Sequence, residues 1–196
     1  MPVMLNENRG HASSRKWDSR KRIQQPIQPN ERKKMIFFSA DWHIDHSNII
    51  EYCHRPFKNI QKQANALIRN YNELVSETDI CYFIGDFMMD KNEDRLKAYL
   101  DRMNGTKILI LGNHDKMNPF AYVDAGFRHV HTALDVEEFV LAHDPSASIV
   151  VRPKTLLCGH VHDLFKQQKN IINVGIDVWD YRPASIDEIK LMTEGL

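Results

Sequence analysis

Five short apolar runs, MIFFSA (35 to 40), DICYFIG (79 to 85), KILILG (107 to 112), EFVLAH (138 to 143) and TLLCGH (155 to 160), share one property. Each ends in, or is followed at once by, residues that bind metals or move protons. In order these are Asp41 and His43, then Asp86, then Asn113 with His114 and Asp115, then His143, then His160 and His162. Apolar runs of this length bounded by turn residues read as buried strands. Open α/β sheets assemble their sites in the loops at the carboxyl ends of strands, so residues more than a hundred positions apart can converge there.

The segments between these runs support the same fold class. NIQKQANALIRNYNELVSE (59 to 77) carries Ile60, Ala64, Leu67, Ile68, Tyr71, Leu74 and Val75 at a helical period. EDRLKAYLDRM (93 to 103) reads as a second helix, NIINVG (170 to 175) as a further strand, and SIDEIKLM (185 to 192) as a closing helix with Ser185 as N-cap and Glu188 in the capping-box position. Strands alternating with amphipathic helices predict a layered α/β fold and not a helical bundle. RHVH (128 to 131) has neither a glycine nor a strand-end context, so it is expected to be an ordinary strand face.

A chain of 196 residues can bury one substantial core. Its formal charge is zero but unevenly spread. Residues 1 to 34 hold nine Lys and Arg against three Asp and Glu, which leaves 17 against 23 in the body. The expectation is therefore a basic, flexible extension over 1 to 34 and one domain over 35 to 196. The longest apolar runs fall far short of the roughly 18 residues that span a bilayer. With no apolar h-region of a secretory signal, and acidic residues where a transit peptide has few, the expected compartment is the cytoplasm. Cys53, Cys81 and Cys158 are odd in number and form no C-x-x-C pair, which predicts reduced thiols.

Spacing narrows the chemistry. In an extended segment residues i and i+2 point to the same side, ~6.6 to 6.8 Å apart, so His160 and His162 would face one region without sharing one atom. Two metals ~3.5 to 4 Å apart would suit them, and the pair Asp41 and His43 has the same spacing. Gly159 would let the chain turn or approach closely. Taken singly, D-x-H, G-D and H-x-H are weak signals; the weight lies in their ordered combination with LGNHDK.

That combination, D-x-H, G-D, G-N-H-D, a lone His and G-H-x-H, resembles the calcineurin-like metallophosphoesterase superfamily over about residues 35 to 185. FFSADWHIDHSNIIEYCHRPF and NVGIDVWDYRP are similar to a small stand-alone bacterial or phage-type subgroup. The resemblance implies a two-sheet α/β sandwich flanked by helices in αββα layers, with two metals at the loop ends. It implies that Asp41, His43 and His162 hold one metal, Asn113, His143 and His160 the other, and that Asp86 bridges them. Carboxylate and imidazole donors suit manganese, iron, zinc or nickel, with manganese favoured. The expected activity is a metal-dependent phosphoric ester hydrolase in which a metal-bridging hydroxide attacks phosphorus and His114 protonates the leaving oxygen. Asp115 would orient His114 or a ligand.

The chain departs from the protein Ser/Thr phosphatases of that superfamily. Where they carry G-D-x-x-D-R-G it reads GDFMMDKN, with Met89 at the acid position and Asp90 one place late. Arg55 and Arg182 are candidate phosphate contacts because an arginine can grip phosphate oxygens bidentately, and His46 and Asn48 also follow the first metal motif. Trp42 would stack a base or pack behind the site. Phosphodiester substrates are slightly favoured over monoesters. The alternatives are a nuclease or nucleotide phosphodiesterase holding nucleic acid with the basic tail, a phosphomonoesterase, or a non-catalytic scaffold; no membrane partner is expected.

Overall fold

The computed structural model describes residues 32 to 146 and 154 to 194. The chain divides into two units, Met1–Arg32 and Lys33–Leu196. The expectation of a basic extension falls almost wholly on residues outside the described ones.

In chain order the second unit contains β1 (Ile36–Ser39), α1 (Ile49–Tyr52), α2 (Ile60–Leu74), β2 (Ile80–Ile84), α3 (Glu93–Leu100), β3 (Thr106–Ile110), α4 (Pro119–Ala125), β4 (His129–His131), β5 (Leu134–Val136) and β6 (Phe139–Leu141). There follow β7 (Thr155–Cys158), β8 (Gln167–Gln168), β9 (Ile171–Asn173), a 3-10 turn (Ile176–Val178), β10 (Ala184–Ser185) and α5 (Ile186–Thr193). One sheet has the order β10-β1-β2-β3-β4 and the other β5-β6-β7-β9-β8. Both are mixed. β1 to β4 are mutually parallel with β10 antiparallel at the edge, and β6, β7 and β9 are parallel with β5 and β8 antiparallel.

The first sheet is covered on both faces, which is why its strands read as continuous apolar runs. Alternate residues go to opposite sides. Phe37, Cys81, Phe83 and Leu109 pack with Leu67 and Tyr71 of α2, Leu96 of α3 and Tyr122 of α4. Their neighbours Phe38, Tyr82, Ile84 and Ile110 meet Phe139, Leu141, Leu157 and Ile172 of the second sheet. Ile186 and Ile189 of α5 join that inter-sheet cluster. The expected α/β fold of two sheets flanked by helices is therefore present.

The helices begin where their caps are. Asn59 accepts the Lys62 N–H ahead of α2, and Asn92 accepts that of Arg95 ahead of α3. Ser185 and Glu188 form the expected capping box of α5. α4 was not anticipated from periodicity; at 7 residues it is short, and its signals are local, an Asn118 cap followed by Pro119 in the first turn. RHVH forms the edge strand β4, as expected.

Candidate metal centre

Parallel pairing of β1, β2 and β3 places Asp41, Asp86 and Asn113 beyond the same end of the first sheet. The loops then lace to one another through the backbone. Asp41 N–H donates to Gly85 O at 3.1 Å, His43 N–H to Asp86 O at 2.9 Å, and Gly159 N–H to His143 O at 3.1 Å. The two sheets touch here through an isolated parallel bridge between Ala40 and Gly175.

The D-x-H and H-x-H pairs are not extended, which corrects the expected geometry. β1 stops at Ser39 and β7 at Cys158, and Asp41, His43, Asp86, His160 and His162 all have left-handed backbone, with φ between 47° and 72°. Non-glycine residues in this region carry strain of about 1 kcal/mol or more each and gather at functional sites. The side chains converge because the chain turns at each of them. Gly159 fits its expected role, since a Cβ there would lie 2.8 Å from a carboxylate oxygen of Asp41.

Within the cluster, Asp41, His43 and His162 each bring a donor atom within 4.8 Å of the others, and so do Asp41, Asp86 and His143. Asp86 Oδ2 lies 3.5 Å from His43 Nε2 and 3.2 Å from His143 Nε2. Asn113 Oδ1 is 3.0 Å from His143 Nε2 and 2.9 Å from His160 Nδ1. His143 Nδ1 faces the Ile84 carbonyl at 2.8 Å, so the ring turns Nε2 to the centre. The carboxylate of Asp41 accepts the His160 N–H at 3.0 Å.

Burial and charge oppose each other here. Burial raises the Asp41 carboxyl and presses His43 down to about 3. Burial also disfavours charge on Asp86 and His143, but their mutual hydrogen bond prevails, holding Asp86 at about 2 and His143 at about 9. The His43 ring, 3.5 Å from Asp86, makes no hydrogen bond. It is 2% exposed, and neither ring nitrogen has a hydrogen-bond partner. Buried polar groups are nearly always satisfied, so this orphaned imidazole beside two carboxylates fits a cation bound among these donors.

His114 sits at the rim, half-buried, its ring 5.3 Å from that of His43. Its backbone N–H donates to Asp86 Oδ1 at 2.8 Å. Asp115 does not reach the His114 ring. Its carboxylate instead accepts the backbone N–H groups of Asp86 (2.8 Å), Gly112 (2.9 Å) and Phe87 (3.1 Å), and burial lifts it to about 6. Asp115 thus braces two loops through their backbone, one of them at Asp86 itself.

The two arginines also lie elsewhere than expected. The buried Arg55 guanidinium is bound to Asp177 and to the carbonyls of Asp41 and Trp42, which engages all three of its nitrogens. Arg182 pairs with Glu188 of α5, Nη2 to Oε1 at 2.7 Å. Trp42 packs behind the centre against Tyr71, Phe83 and Phe87, with Nε1 donating to Ser39 Oγ. Asn48 is exposed and its amide reaches the Tyr52 hydroxyl at 3.4 Å, whereas the His46 ring lies 5.6 Å from that of His43. Asp90, the late acid of GDFMMD, pairs with Arg95 at 3.1 Å. All three cysteines are free, as expected.

One participant was missed by sequence reasoning. Asp177 Oδ2 lies 3.1 Å from His162 Nδ1. Its signal was available, because Gly175-Ile176-Asp177 closely follows β9 in the same strand, glycine, acid order as the other motifs. Cys53 and His162 form a further group with it that places three potential donor atoms within 4.8 Å.

Among known proteins, the family model for calcineurin-like phosphoesterases matches residues 34–180. An uncharacterized protein of Methanocaldococcus jannaschii is 33% identical over 172 residues, covering 83% of this chain and 93% of that one. The gene 66 protein of Mycobacterium phage L5 is 26% identical over 190 residues, covering 78% and 91%. The crystal structure of a protein of unknown function from Aquifex aeolicus shares the fold with a TM-score of 0.64 at 23% identity, over 81% of this chain and 99% of that one. The ordered strand-end residues, their convergence and the extent of these matches give one conclusion: the chain belongs to the calcineurin-like phosphoesterase family.

Proposed function

We propose that this protein is a phosphoesterase dependent on two divalent cations, manganese favoured, hydrolysing phosphate esters with phosphodiesters slightly preferred. The observation that carries the reading is His43, a buried imidazole with no hydrogen bond set between Asp41, Asp86 and His162. Asp41, His43 and His162 would hold one cation, Asn113, His143 and His160 the second, and Asp86 would lie between. Bound cations of this kind polarise phosphoryl oxygens and make a water nucleophilic near neutral pH. His114 stands at the rim with a ring that makes no hydrogen bond among the described residues, so its N–H is free to protonate a departing ester oxygen.

The test combines metal analysis with hydrolysis of a bis-aryl phosphodiester and an aryl phosphomonoester across several divalent metals. Asp86→Asn is expected to lose metal and activity together. Full activity in that variant would overturn the reading. Convergence of all seven donor-type side chains also counts against a non-catalytic scaffold, which has no use for five strained ligand positions.

The charge asymmetry of the sequence favours a second reading, a nuclease or nucleotide phosphodiesterase whose basic residues 1 to 34 hold nucleic acid. It requires binding that weakens steeply with salt and that falls on deletion of those residues. Unchanged nucleic-acid affinity and turnover after truncation would remove it.

A further inference from the structure

Arg55 and Asp177 are buried together, with side-chain exposures of 0% and 2%, although 122 positions separate them. Arg55 Nε donates to Asp177 Oδ1 and Arg55 Nη2 to Asp177 Oδ2, both at 2.8 Å. The same guanidinium reaches the first metal motif, Nη2 donating to Asp41 O at 2.7 Å and Nη1 to Trp42 O at 3.1 Å. The side-chain amide of Gln63, fully buried on α2, donates to the Trp42 carbonyl as well, at 3.3 Å. On its far side Asp177 Oδ2 meets His162 Nδ1. One ion pair thus connects a loop from β1, a segment following β9 and the last histidine of G-H-x-H.

A buried ion pair is weak evidence for stability, because its desolvation offsets most of its Coulomb attraction. The partners of this one are specific. The carbonyls it binds belong to Asp41, itself left-handed, and to Trp42, which stands between left-handed Asp41 and His43, whose backbone must be held in place. A carboxylate on one imidazole nitrogen fixes the ring's tautomer and leaves the other nitrogen free to bind a cation. Arg55 also bears on the Cys53, His162 and Asp177 group, since a cation there would have to displace the guanidinium that already neutralises Asp177.

Resting on the dinuclear reading above, we infer that Arg55 and Asp177 are positioning residues for one of the two cations, the one held by Asp41, His43 and His162, and not for the other. They hold Asp41 by its carbonyl and His162 by its ring, and reach His43 only through the carbonyl of the preceding Trp42. The second set, Asn113, His143 and His160, has its own support in the Ile84 carbonyl and makes no hydrogen bond to this pair.

The experiment is Mn2+ titration of the full chain, counting bound ions and their separate affinities, in wild type, Asp177→Asn and Arg55→Lys, with circular dichroism to verify folding. Two ions are expected in wild type. In each variant one is expected to weaken ten- to a hundredfold, the range for loss of a ligand's supporting partner, while the other keeps its affinity. Arg55→Lys retains a cation beside Asp177 and so tests the bracing even if Asp177→Asn fails to fold. Two unchanged affinities in the folded variants, or equal loss at both sites, overturns the inference and leaves the metal reading standing. A wild type that binds no ion removes the metal reading itself.

Discussion

The carboxylate of Asp115 receives the backbone N–H of Asp86 at 2.8 Å. Because it also takes those of Gly112 and Phe87, it fixes the backbone on which the central carboxylate of the cluster stands. Asp115→Ala leaves three donors without their acceptor, and each buried one costs about 1 to 3 kcal/mol. The variant is expected to lose about 3 kcal/mol or more in urea denaturation, with Asp115→Asn, which keeps one acceptor oxygen, less affected. A loss below 0.5 kcal/mol would show that water replaces the brace at no cost.

His114 stands at the rim and belongs to none of the clustered donor groups. His114→Ala is expected to retain bound metal and to turn over more slowly by on the order of a hundredfold or more. The deficit should grow as the leaving group becomes more basic, since such an oxygen needs its proton most. Rates measured over a series of aryl and alkyl leaving groups check this, and an even deficit across the series would assign the proton to another donor.

Cation removal should reach the fold as well as the chemistry. An ion that binds only the folded chain, at a hundredfold its dissociation constant, stabilises by about 2.7 kcal/mol. For a domain of this size that raises the melting temperature by roughly 5 to 10 °C. Calorimetry with Mn2+ and with a chelator is expected to show this difference in wild type and little of it in Asp86→Asn.

The C-terminal helix carries a pH signature remote from the centre. Burial would raise the Glu188 carboxyl, but hydrogen bonds from Arg182 and Ser185 outweigh it and hold it at about 2, below the ordinary 4.5. A depressed carboxyl stabilises the fold fully above its unfolded value and loses that contribution as pH falls through the folded one. The window is therefore about pH 4.5 down to 2. Since the pair is partly exposed, screening limits it to about 1 kcal/mol or less. Denaturation of wild type and Glu188→Gln across that window should converge at its acid end.

Much of this molecule was legible in its residues. The strand runs, the α2 and α5 helices and the ordered list from Asp41 to His162 follow from local periods and local chemistry, because burial on both faces demands apolar runs and donor side chains have few substitutes. Capping of α5 by Ser185 and Glu188 is a contact between near neighbours, so four letters specify it.

Contacts across long stretches of chain were not legible. An arginine after a metal motif has the same composition whether it grips a phosphate or a buried Asp177, and only the packing of the β1 loop against the Ile176–Val178 turn selects the second. Nor does a D-x-H spacing say that Asp41 and His43 leave the extended region. Their left-handed backbone is imposed by neighbours, Gly85 O, Asp86 O and the Arg55 guanidinium, which meet only when the sheets have formed. Sequence alone determined which donor-type side chains stand at the strand ends; tertiary structure decided which of the remaining charges hold those side chains in place, because a long-range hydrogen bond is a property of two segments and is written in neither.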